Sequence, residues 1–296
     1  MHRWGCPRCE YVIWAPSQRV VATELAGHIL KHQPDSVSET IFRTVWECPK
    51  CDAEGSHNER RVAISQLKKH LYEHVRPEII HGADITLEVG SSGSLLLLAK
   101  PDGKLSNYMR DHLVSQSDSL VLITSNPHRK LRLIERQFDT FPEKTVVISP
   151  AGSKTKDKSA YDLGRSSVDF HPLPTESTVS DLGTTIVNAL ELYLADDHEP
   201  VVEFSMLDTV IEACSTDSTF KFLHVLHGIT DSWDAIVYSP LCRDDYPDVT
   251  VNIFEKVFDL VLCGQENRFV TWTPSGSSNQ SDPSYSADAT SEATSD

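Results

Sequence analysis

Apolar residues follow two rhythms along this chain, and the change comes at Pro77. From residue 88 to residue 272, short apolar runs alternate with stretches of helical period. The runs predict strands over residues 94–99, 120–124, 145–149, 200–204, 235–239 and 268–272. Unbroken apolar strands are those covered on both faces, as in a parallel sheet. The helical stretches cover residues 105–115, 128–141, 179–194, 219–229 and 249–258. Strand–helix alternation of this kind implies an α/β domain with a mostly parallel sheet over residues 88–272. Residues 151–174 are rich in Ser, Lys and Asp and predict an irregular excursion. The longest apolar run, Leu95 to Ala99, is strand-sized. A membrane-spanning helix needs roughly 20 such residues, so no membrane is expected.

Before Pro77 the rhythm is helical twice over. Val21, Leu25, His28, Ile29 and His32 form one stripe, and Ile64, Leu67, Leu71 and Val75 form another. A strand is expected at residues 10–14 and a linker at residues 33–47. Each stripe follows a Cys-Pro-basic-Cys turn. Cys6, Cys9, His28 and His32 spell C-x2-C-x18-H-x3-H, and Cys48, Cys51, His70 and His74 repeat it 42 residues later. Trp4 and Trp46, and Leu25 and Leu67, repeat at the same offset. Two thiolates on a tight turn can face one ion. Two histidines four apart project from one helix face toward it. This ligand set predicts two zinc ions, both structural, because four protein ligands leave no open position for water. Units this small need the metal for their folding energy. Residues 1–34 and 43–76 are read as the two modules.

The modules resemble Cys2His2 zinc fingers of ββα type. The departure is the 18-residue interior, where the common finger has about 12. The base-reading positions of the family therefore do not transfer. The resemblance implies nucleic acid or a protein as partner, with Lys31, Arg60, Arg61, Lys68 and Lys69 as candidate phosphate contacts.

Charge narrows the choice of surface. Residues 1–80 carry 11 Lys+Arg and 10 Asp+Glu, which leaves 16 basic and 33 acidic side chains for residues 81–296. That larger part repels phosphates, so nucleic acid would meet the N-terminal part. Acidic, Lys-poor chains are common in salt-rich cytoplasm. Residues 273–296 hold eight Ser and four Asp/Glu without Lys or Arg, and are expected to be a disordered acidic tail. Cys214, Cys242 and Cys263 lack motif spacing and are expected to be buried free thiols in a reducing cytoplasm.

After the first predicted strand, Lys100-Pro-Asp-Gly-Lys104-Leu-Ser106 leads into a helix, as a phosphate-binding loop would. Gly103 and Lys104 sit where Gly-Lys belongs. Leu98 takes the place of the first Gly, and Leu105 that of the Mg²⁺-binding hydroxyl. Further on, Pro200-Val-Val-Glu-Phe-Ser-Met-Leu-Asp208 and Phe220-Lys-Phe-Leu-His-Val-Leu-His227 resemble the strand and helix around the Walker B Asp of RecA-like ATPases of the circadian-clock type. The likeness, over residues 88–265, is to a degenerate branch found in halophilic archaea and without assigned activity. It implies that Ser205 stands at the metal carboxylate position, with Asp208 three residues on. Phosphoryl transfer depends on positioning and metal charge, so losing both implies no hydrolysis. The expectation is a non-enzymatic zinc regulator or adaptor on a pseudo-ATPase scaffold, self-associating through its α/β domain. The alternative is a nucleotide-binding ATPase, using Gly103 and Lys104, regulated through its fingers.

Overall fold

The computed structural model describes residues 1–90, 92–137, 142–151, 167–174, 178–193 and 199–271. The expected tail at 273–296 lies outside the described residues.

The first Cys/His unit is a hairpin, β1 (His2–Gly5) and β2 (Val12–Ala15), followed by α1 (Gln18–Lys31). The second has three strands, β3 (Val37–Glu39), β4 (Thr44–Glu47) and β5 (Glu54–His57), then α2 (Arg60–Val75). The stretch 33–47 is thus no linker. Its Val37 and Thr44 flank a hairpin whose outer strand covers β4, with Val37 opposite Trp46.

A short strand β6 (Ile80–His81) and one turn of helix α3 (Thr86–Val89) lead to the α/β body. Its elements are β7 (Gly93–Leu98), α4 (Lys104–Val114), β8 (Ser119–Ile123), α5 (Pro127–Gln137), β9 (Lys144–Pro150), β10 (Ser167–Leu173), α6 (Val179–Tyr193), β11 (Val201–Phe204), α7 (Leu207–Ala213), α8 (Thr216–Asp231), β12 (Ile236–Leu241), α9 (Asp248–Glu255), β13 (Leu260–Gln265) and β14 (Arg268–Thr271). Seven strands pair in parallel in the order β10-β9-β8-β11-β12-β7-β13. The α/β reading with a large, mostly parallel sheet holds. One face packs against α4 and α5, through Met109, Leu113, Leu131 and Ile134. The other packs against α6 to α9, through Ile186, Leu190, Leu223 and Phe254. Covering both faces lets Leu95 to Leu98 form an unbroken apolar run at 2% exposure or less.

Two expectations need correction. Residues 167–173, read as irregular, form the edge strand β10, which pairs residue by residue with β9. Residues 152–166 of that stretch lie outside the described residues. Residues 260–265, read as no element, form β13, parallel to the first body strand.

The sheet does not stop at β13. Glu266, at φ 49°, and Asn267 turn the chain back into antiparallel β14. Strand β14 pairs with β2, setting Phe269 opposite Trp14 and Val270 opposite Ile13. Strand β1 then pairs with β6, His2 opposite His81. The first unit's hairpin therefore extends the large sheet to eleven strands, while β3-β4-β5 stays a separate sheet. Trp14, 1% exposed, points into the core shared with α4 and α5. Trp4 and Ile13 point the other way, against Val21 and Leu25 of α1 and Val75 of α2. No helix among the described residues is long and apolar enough to cross a membrane.

Candidate metal centres and the loop after the first body strand

Both Cys/His clusters form from local geometry. Cys6 and Cys9 lie on the β1–β2 turn, where the Arg8 N–H donates to Cys6 Sγ at 3.4 Å and Cys6 N–H donates to Tyr11 O at 2.8 Å. The second turn repeats both bonds, from Lys50 N–H to Cys48 Sγ at 3.4 Å and from Cys48 N–H to Ala53 O at 2.8 Å. Ser17 caps α1 through Val20 N–H and fixes where that helix starts, which sets the direction of His28 and His32. In the first cluster, Cys9 Sγ lies 3.3 Å from His28 Nε2 and 3.4 Å from His32 Nε2. Cys6 Sγ lies 3.6 Å from His32 Nε2, and the two imidazole nitrogens are 3.1 Å apart. In the second, Cys51 Sγ is 3.2 Å from His70 Nε2, and His70 and His74 Nε2 are 3.1 Å apart. A tetrahedral ion with bonds of about 2.05 Å to nitrogen and about 2.3 Å to sulfur has edges of about 3.4 Å (N···N) and about 3.6 Å (S···N). The donor atoms of each group lie within 4.8 Å of one another, so each group can hold a metal ion.

The surroundings of the two centres differ. Tyr11 stacks on His28 with ring centres 4.0 Å apart, and Trp4 meets the same ring edge-on at 6.0 Å. Burial, with His32 and Lys31 adding to it, pushes the His28 pKa down to about 4, so the ring is neutral and its lone pair available. In the second unit Ala53 replaces Tyr11, and Trp46 alone tilts over His70 at 5.8 Å. Opposite Trp46 stands Gly55, where a Cβ would come within 2.5 Å of the indole. The units touch along α1 and α2. Glu78 bridges them, accepting from Trp4 Nε1 at 3.2 Å and from Lys50 Nζ at 3.0 Å.

The candidate phosphate contacts divide among several places. Lys31 ends α1 beside the first cluster and is exposed. Arg60 and Arg61 begin α2, and Arg60 Nε pairs with Glu39 at 2.9 Å. Lys68 is half-buried toward Gly27 of α1, while Lys69 is exposed.

The loop after β7 has a different character. Gly103 N–H turns back to Lys100 O at 2.9 Å and Pro101 O at 2.7 Å, and Ser106 Oγ donates to Lys100 O at 2.8 Å. Lys104 Nζ reaches away to Asn267 at 2.9 Å, in the β13–β14 turn. Asp102 faces inward, with Lys130 Nζ at 2.6 Å and Arg129 Nε at 3.1 Å. Lys130 also holds Glu203 at 2.7 Å. Glu203, in β11, takes a two-pronged contact from Arg110 at 2.5 and 2.9 Å and a bond from Ser205 Oγ at 2.6 Å. Arg110 and Glu203 are both fully buried. Burial alone would raise the Glu203 carboxyl. Arg110 and then Lys130 outweigh it and hold Glu203 well below the usual carboxylate range. This ladder of opposite charges was not anticipated from the sequence. Its visible trace is the single carboxylate inside the apolar run Pro200-Val-Val-Glu-Phe, since a charge buried on a strand must be paired.

Of the other singled-out residues, His227 is packed, with Nδ1 3.1 Å from Val257 O and its ring against Phe258. His224 is exposed. Cys214, Cys242 and Cys263 are free and only partly buried, which corrects the expectation of burial.

Residues 92–263 match the model of a family of unknown function, DUF7504. Both Cys/His clusters lie outside that match. A solved structure from Pyrococcus horikoshii OT3, titled as a structural study, is similar at 14% identity with a TM-score of 0.42, covering 60% of this chain and 83% of its own. No curated protein matches the chain.

Proposed function

The chain belongs to the family of unknown function DUF7504, and we propose that it is a non-enzymatic, zinc-binding regulator or adaptor. In this reading the α/β body is a RecA-like scaffold that has lost its nucleotide chemistry, and the Cys/His units recognise nucleic acid or a protein partner. The observation that carries it is the closed loop after β7. A phosphate-binding loop aims backbone N–H groups and a lysine at one anion. Here Gly103 N–H and Lys104 Nζ are spent on internal oxygens, and the carboxylate of Asp102 is the anion beside Lys130. Beside the expected metal position at Ser205, Glu203 is already held by Arg110 and Lys130. A phosphate entering here meets Asp102 first.

Zinc is the ion that best suits two closed Cys2His2 groups, whose donors fill a tetrahedron without a vacancy for substrate. Purified protein is expected to hold two zinc ions per chain, both structural.

A ligand that binds only the native state must raise its stability. Millimolar ATP with Mg²⁺ should leave the unfolding temperature unchanged, and Lys104→Ala should be silent. A rise of several degrees with ATP, abolished by Lys104→Ala, would overturn the reading in favour of a nucleotide-binding protein regulated through its fingers.

A further inference from the structure

The second Cys/His unit displays two large apolar side chains that its own fold does not use. Ile41 is 91% exposed and Phe42 84%. They are adjacent at the tip of the β3–β4 hairpin, and no other two large apolar neighbours among the described residues are both exposed. The tip is rigid. Thr40 N–H and Thr40 Oγ1 both donate to Arg43 O at 2.8 Å, and Arg43 N–H returns a bond to Thr40 Oγ1 at 3.2 Å. Such a turn fixes the backbone from which the two side chains project, so a partner has no loop to order on meeting them.

The charges around the tip select the partner. The pairs Glu47–Glu54 and Thr44–His57 fix the two ends of this small sheet, and the second is the end away from the metal. Arg43 leads into β4 at that end, and Arg60 and Arg61 start α2 there, without an acidic residue in the first turn. Glu39 and Glu59 are the acidic neighbours. The Glu39–Arg60 pair is more than 60% exposed on both sides, so a phosphate can replace the carboxylate at little cost. Guanidinium groups match phosphate with two parallel hydrogen bonds. An aromatic face beside them offers a stacking platform to an unpaired base. The rest of the chain, with 33 acidic against 16 basic side chains over residues 81–296, repels the strand elsewhere.

We infer that the Ile41–Phe42 tip, flanked by Arg43, Arg60 and Arg61, is a docking point for single-stranded nucleic acid. The base stacks on Phe42, and the arginines hold the flanking phosphates. This rests on the reading of the units as the recognising part, and narrows it to one end of the second unit.

The test uses the zinc-loaded full chain and fluorescein-labelled oligonucleotides of about 20 nucleotides, single-stranded RNA, single-stranded DNA and duplex, at about 50 and 200 mM salt. Single strands should bind more tightly than duplex. Phe42→Ala should weaken binding at least about 5-fold, and Phe42→Trp should restore it. Arg43→Gln should reduce the salt slope by about one. Zinc content and unfolding temperature should stay unchanged in each variant, because the tip packs against nothing. Strand binding that survives Phe42→Ala overturns the tip while leaving nucleic-acid recognition by the units standing. No binding of any oligonucleotide at low salt overturns the nucleic-acid assignment. Neither outcome touches the closed loop, which the ATP experiment judges separately.

Discussion

The first Cys/His unit has strand partners on both sides, β14 and β6, and its Trp14 sits in the core of the α/β body. The second has only its own third strand, and its core is Trp46, Cys48, Ala63, Leu67 and Leu71. The ligand spacing is the same, and so are the turn hydrogen bonds. The surroundings decide what each unit can do. Helix α1 lies between the hairpin and α2, with Arg19, Thr23 and Lys31 its exposed residues. Arg268, the first residue of β14, also reaches over to Glu24 of α1 at 3.1 Å. The first unit is thereby committed to the sheet edge. The second keeps an open hairpin tip and an open helix face, and that is where the proposed recognition has room. A duplicated motif thus separates into a structural copy and a free copy once one of them finds a strand edge to join.

The largest effect that could break this comparison comes from removing one metal at a time. Cys6→Ser and Cys48→Ser should each lower zinc content from two ions to one. Structural zinc contributes many kcal/mol to such a unit. Loss of the first should therefore cost the whole fold several kcal/mol, lowering the unfolding temperature by more than about 10 °C. Loss of the second should leave the α/β transition within about 2 °C. Equal shifts would erase the distinction.

A smaller effect separates the body from both units. Glu203→Gln leaves Arg110 buried without its carboxylate and Lys130 with Asp102 alone, and should cost about 3–5 kcal/mol in chemical unfolding. Zinc content should not change. The pH dependence has a definite sign. Glu203 has a depressed folded pKa, so its contribution is full above the unfolded value of about 4.3 and is lost as pH falls through the folded value. The difference between wild type and Glu203→Gln should hold from neutral pH to about pH 5 and shrink only in stronger acid.

The smallest effect stays inside the second unit. Gly55→Ala puts a Cβ against the Trp46 indole and must displace a ring that leans on His70. It should weaken the second unit by about 1–3 kcal/mol, read as faster zinc loss to a chelator from one of two sites. The equivalent place in the first unit is Ile13, opposite Trp4, so the two hairpins already solve this contact differently.

What was legible in the sequence follows from how far each constraint reaches. The eight Cys and His residues announce themselves because a turn and a helix face fix them locally. Strands β7, β8, β11 and β12 read clearly because they are covered on both faces. Strand β10 did not, since Ser-Val-Asp-Phe-His-Pro at a sheet edge mixes polar and apolar residues like a loop. Strand β13 loses its apolar character at Gly264 and Gln265, where it nears the turn. The pairing of Trp14 with Phe269 joins positions 255 apart and leaves no local mark on either. The same holds for Asp102 and Lys130. Each looks like an ordinary surface charge until the fold brings them to 2.6 Å. The loop's broken motif was visible, but the carboxylate that fills it was not.

The central claim is that the first metal holds an edge of the large sheet and the second does not. Hydrogen exchange of the peptide spanning residues 260–271 tests it most directly, because Phe269 and Val270 form the junction with the first hairpin. Exchange there should speed up markedly in Cys6→Ser and match wild type in Cys48→Ser. Unchanged exchange in Cys6→Ser, or equal acceleration in both, would contradict the account.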